Sequence, residues 1–171
     1  MNYFELFALP QGFELDSATL ATRYRELQRA VHPDNFAAGS DRDRLMAVQK
    51  TAEINDAFQT LKSPLGRAEY LLRLNGVELR GETTTIKDPM FLMQQMELRE
   101  ALADLADHDD PFDAALALEQ EFAAIKKAMM TNLISQLDNK LWLDAADNVR
   151  KLKFVDKLEQ ELALLEEQWQ L

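Results

Sequence analysis

The chain has 171 residues, 47% of them hydrophobic, with 5 Gly, 5 Pro, no Cys and a formal net charge of −11. That apolar content excludes global disorder, and the acidic balance excludes sequence-independent binding to nucleic acid. Disulfides and thiolate metal ligands are ruled out, no apolar run is long enough to span a membrane, and residues 1–6 lack the basic region of a signal peptide, so a cytoplasmic protein is expected.

Abundant Leu, Ala, Glu, Gln and Lys predict a nearly all-α chain. Residues 3–8 read as a short helix or turn closed by Pro10. Asp16 is a candidate N-cap for a helix over about 17–31. Leu20, Tyr24, Leu27 and Val31 fall on one face of that helix, and Arg23, Arg25 and Arg29 lie elsewhere on it. On their own, the arginines read as a solvated face. Proline disfavours helix at the residue before it, so the helix stops near His32. His32-Pro33-Asp34 then forms an exposed turn. Aspartate after proline is also an ordinary turn residue.

Ser40 with Asp43 resembles a capping box and opens a helix over about 41–62. Ala47, Thr51, Ile54, Phe58 and Leu61 follow helical spacing there. The two stripes would bury each other in a helical hairpin. Ser63-Pro64 reads as N-cap and first turn of a further helix, with Gly76 as its stop.

Residues 76–87 contain Gly and three Thr and read as a linker between two domains, 1–75 and 88–171. The charge shifts across it. Residues 1–75 hold 10 acidic and 9 basic side chains, and residues 97–171 hold 17 and 8. Asp88-Pro89 starts a helix to about Ala106, and Asp110-Pro111 starts another to about Leu137. Asp138-Asn139 is a short break before a last helix over about 140–170. Three helices with short connections predict an antiparallel three-helix bundle.

The first helix of this bundle has more apolar residues than one buried face needs. Phe91, Met93 and Leu98 cannot share the side of Leu92 and Met96 at 100° per residue. One explanation is a helix buried on two sides. The other is an exposed apolar patch rimmed by Glu97, Glu100 and Asp104, suited to a protein partner.

Two sets of motifs resemble known families. His32-Pro33-Asp34, with Tyr24-Arg25-Glu26-Leu27 before it and Ile54-Asn55-Asp56-Ala57-Phe58-Gln59-Thr60-Leu61 after it, resembles a J-domain. J-domains stimulate the ATPase of DnaK-type chaperones. Asn35 departs from the lysine common after the aspartate. Pro64-Leu65-Gly66-Arg67-Ala68-Glu69-Tyr70-Leu71-Leu72 resembles one J-protein subfamily. So does Phe91-Leu92-Met93 with Gln95, Glu97-Leu98-Arg99-Glu100 and the later Val149-Arg150-Lys151-Leu152-Lys153-Phe154. That subfamily is the HscB family of iron–sulfur co-chaperones.

The resemblance implies a non-enzymatic regulator with no cofactor of its own. It implies docking on an HscA-like chaperone through Arg23, Arg25, Arg29, His32, Pro33 and Asp34. It also implies binding of an IscU-like scaffold through Leu92, Met93, Met96 and Phe154, with Glu97, Arg99, Glu100 and Asp104 around them. Met96 and Asp104 stand where leucine and glutamate are familiar. With two histidines and no thiols, the chain offers no site for a cluster itself. An enzyme using His32 and Asp34 as acid and base would need further converging groups, and the sequence names none.

Overall fold

The computed structural model describes residues 1–79, 86 and 88–170, and among them there is no β-strand. The chain divides into two compact units, Met1–Leu74 and Asn75–Leu171. Most of the segment expected to be a linker, 80–85 and 87, lies outside the described residues.

The first unit holds α1 (Tyr3–Leu6), α2 (Ser17–Val31), α3 (Asp41–Lys62) and α4 (Pro64–Leu74). Short polar side chains start them by accepting from otherwise orphaned backbone N–H groups. Asn2 accepts from Glu5, Asp16 from Ala18 and Thr19, Ser40 from Asp43, and Ser63 from Gly66. These contacts leave the Asp16 carboxyl below its ordinary pKa, chiefly through the hydrogen bond from the Thr19 side chain. Gly76, two residues past the end of α4, has a φ of +86°, the left-handed geometry expected of a helix stop.

α2 and α3 pack as a hairpin, with α4 folded back on α3. Leu20, Ile54, Ala57, Leu61 and Leu72 are buried at its centre, and Phe4 and Phe7 close one end. Tyr24 stacks on Phe58 at 3.9 Å between ring centroids, and its hydroxyl donates to Asn55 Oδ1 at 2.7 Å. Tyr3 stacks on Tyr70 at 4.5 Å. Arg67 is buried, donates from Nη1 to the Leu61 carbonyl at 2.8 Å, and lies over the Phe13 ring. Desolvation pushes its pKa down.

The second unit holds α5 (Pro89–Ala103), α6 (Pro111–Asp138) and α7 (Trp142–Trp169). Asp88 and Asp110 cap the two helices that open with proline. Cross-helix pairs define the topology. Arg99 meets Glu161 and Asp88 meets Lys151, so α5 and α7 run the same way. Lys126 meets Asp156 and Glu159, whereas Asn148 meets Met129 and Gln136, so α6 runs against α7. The result is an up-down-up three-helix bundle around Leu98, Phe122, Leu133, Leu152, Leu158 and Leu162.

Two boundaries differ from the sequence expectation. α5 stops at Ala103, not near Ala106, and Leu105–Asp107 form a single 3₁₀ turn. Aspartates 104, 107, 109 and 110 crowd this stretch, and aspartate competes with a helix for backbone hydrogen bonds. α7 starts at Trp142, not 140, because Lys140 takes a φ of +57° and closes the reversal from α6.

Candidate functional site

Two surfaces carry the residues singled out from the sequence. On the first unit, α2 ends at Val31 and Pro33–Phe36 form one 3₁₀ turn. His32 Nδ1 accepts the Asp34 N–H at 3.2 Å, so the imidazole caps this turn. The Asp34 side chain is 91% exposed, and its carboxylate lies 3.5 Å from the same His32 nitrogen, which is already the acceptor of the backbone N–H. Asn35 Nδ2 donates to the Arg29 carbonyl at 2.6 Å and the Ala30 carbonyl at 3.4 Å. It thereby occupies the orphaned last carbonyls of α2 and ties the turn to the helix. Asn35, the departure noted in the sequence, thus has a local structural task.

The three arginines of α2 do not behave alike. Arg25 and Arg29 are exposed and line a shallow groove with Gln28 and His32. Arg23 turns back on its own unit, donating to the Phe7 carbonyl at 2.8 Å and to the Ala8 carbonyl. It anchors the loop after α1, so the outward cationic face beside the turn rests on Arg25 and Arg29.

On the second unit, α5 has two faces. Phe91, Leu98 and Leu102 are buried, while Leu92 is 38%, Met93 64% and Met96 72% exposed. The excess of apolar residues in this helix is therefore a core stripe plus an outward patch. Met90 is also exposed and extends the patch by one turn. The sequence reading missed it, although its place in a run of apolar residues was a signal. Glu97, Glu100 and Asp104 are exposed, and Asp104 is also the C-cap of α5.

Phe154 belongs only partly to this surface. It is half-buried, packs against the bundle core, and meets Phe91 edge-on at 6.0 Å. Arg99 is likewise engaged, donating to Glu161 at 2.5 Å and lying 5.4 Å from the Phe154 ring centroid. These contacts tie α5 to α7. Among the described residues, no three histidine or carboxylate side chains converge on a site for a metal ion.

The family model for the HSCB C-terminal oligomerisation domain matches residues 87–163. Co-chaperone protein HscB homologs from Photobacterium profundum and Vibrio campbellii are 57% and 54% identical over 167 residues, covering 98% of this chain and 98% of each relative. The chain belongs to the HscB family of co-chaperones. The solved chaperone HscB from Vibrio cholerae superposes with a TM-score of 0.90 at 52% identity, covering 99% of both chains. Human HscB superposes with a TM-score of 0.89 at 31% identity, covering 97% of this chain and 82% of the human one. An HscB co-chaperone of iron–sulfur cluster assembly is thus a J-domain followed by a helical bundle, and both parts are represented here. Its relatives are named co-chaperones, not enzymes.

Proposed function

We propose that this chain stimulates the ATPase of an HscA-like, DnaK-type chaperone through its first unit and delivers an IscU-like scaffold to it through its second. The observation that carries this reading is the conjunction of two exposed features. The Asp34 carboxylate is exposed on the turn that follows the helix carrying Arg25 and Arg29, and Met93 and Met96 stand largely in solvent beside a partly exposed Leu92 on a helix whose other face is already buried. Full burial of an exposed apolar side chain recovers roughly 1.5–3 kcal/mol, so completing the burial of Met93 and Met96, and with a smaller gain that of Leu92, is enough for a few anchors to dominate an interface. Glu97, Glu100 and Asp104 at the rim would select a partner of opposite charge. Chaperone docking would use Asp34 against a cation, with His32 and Pro33 fixing the turn and the arginines supplying longer-range attraction. Both partners would be met in the cytoplasm.

The test is steady-state ATPase of the HscA-like chaperone with scaffold present, comparing wild-type and Asp34→Asn protein. The variant keeps size and turn geometry but removes the charge, leaving the facing cation unpaired at a cost of about 2–5 kcal/mol in the docked state. The expected result is loss of stimulation with scaffold binding retained. Full stimulation by Asp34→Asn would remove the turn from the mechanism.

A further inference from the structure

Beside the α5 patch, the second unit opens into a groove of about 710 Å³ between the first turns of α5, the last part of α6 and the first part of α7. It is continuous with the patch, because Met93 and Glu97 belong to both. Phe91 and Met129 supply apolar lining. A groove of mixed aromatic and methionine surface accommodates side chains of varied shape.

The polar wall points to a peptide backbone. Asn148 is only 7% exposed, and its Nδ2 is spent on the Met129 carbonyl at 2.9 Å and Gln136 Oε1 at 3.1 Å. That leaves Asn148 Oδ1 as an acceptor and Gln136 Nε2 as a donor, on two side chains that line the groove. A peptide group supplies one N–H and one C=O, the complement of this pair.

Charge restricts the occupant further. Two of the groove's carboxylates are already engaged, Asp88 by Lys151 and Asp147 by Arg150. Glu97 and Asp144 are exposed, line the groove and have no cationic partner among the described residues. We propose that the groove takes an extended segment of the scaffold that carries a lysine or arginine, so that the scaffold contacts α6 and α7 as well as the α5 patch. This inference rests on the scaffold reading above.

The test uses the full chain with an IscU-type scaffold and measures affinity by calorimetry. Asp144→Asn and Asp144→Lys should melt close to wild type, since the side chain is exposed. Scaffold affinity should fall about tenfold for the lysine variant at low salt, and by less at high salt, where exposed charges are screened. As a second reading of position, p-benzoylphenylalanine placed at the exposed Asn132 on the groove wall should cross-link to a basic stretch of the scaffold. Wild-type affinity for both Asp144 variants, or a cross-link joining two copies of this chain, would overturn the groove proposal. In that case, lost affinity in Leu92→Ala with Met96→Ala would leave the scaffold reading standing. Wild-type affinity in that double variant as well would remove both.

Discussion

Asn35 and Asp34 sit side by side and divide the work of the turn. Asn35 spends its amide on the end of α2, and Asp34 leaves its carboxylate to solvent. Removing a side chain that satisfies helix-end carbonyls costs about 1 kcal/mol, the net worth of a typical hydrogen bond. Asn35→Ala should therefore lower the melting temperature of the first unit slightly and weaken chaperone stimulation by loosening the turn. Thermal denaturation followed by circular dichroism, beside the ATPase assay, checks both. Asp34→Asn should leave melting unchanged. A fall in stability as large for Asp34→Asn as for Asn35→Ala would contradict this division.

At the scale of the helix, α5 separates residues that bind from residues that pack. Met96→Ala removes an exposed side chain and should leave stability within about 0.5 kcal/mol, whereas Leu92→Ala truncates a side chain only 38% exposed and should cost somewhat more. Phe154 is different because it packs on Phe91 and the core. Phe154→Ala should cost roughly 1–3 kcal/mol, less than the 3–5 typical of a fully buried Phe. Urea denaturation distinguishes the cases, and any scaffold affinity lost by Phe154→Ala should be judged at a temperature where the variant is folded.

The start of α5 also carries a pH dependence. Asp88 caps the helix and accepts from Lys151 Nζ at 2.9 Å. The Lys151 hydrogen bond, followed by the Phe91 N–H, holds the Asp88 carboxyl below its ordinary value of 3.8. A lowered pKa in the folded state means that folding favours the charged form. Its contribution is complete above the ordinary value and disappears as pH falls through the lowered one. Lys151→Met should reduce stability at neutral pH and flatten the loss on acidification below pH 3.8, as read from melting curves across that range.

At the scale of the molecule, each compact unit has its own buried centre, around Ile54 and Leu61 in one and Phe122, Leu152 and Leu158 in the other. We propose that residues 1–75 and 88–171 fold independently, each with a cooperative helical melt in circular dichroism. A 1–75 fragment that stays unfolded would show that the smaller unit needs the larger. The separation suits the proposed task, since chaperone and scaffold would be met on different units. The charge difference, near balance in 1–75 and strongly acidic in 97–171, would give them different partners.

The sequence by itself determined the all-α fold and where most helices begin. Those features are local: a proline fixes its own φ and a short polar side chain reaches N–H groups two or three residues away, as Asp16, Ser40 and Asp88 do. The His-Pro-Asp turn and the surplus of apolar residues on α5 were legible for the same reason, since both follow from spacing along one segment, but that one face of α5 is exposed rather than buried against a second neighbour was decided by the tertiary structure. Tertiary structure decided the inward turn of Arg23, whose acceptors lie 15 and 16 residues away, and the engagement of Arg99 with Glu161, 62 residues on. It also decided the half-burial of Phe154 and assembled the groove from three helices. Contacts across such distances depend on how helices are placed against each other, which neither periodicity nor capping residues encode.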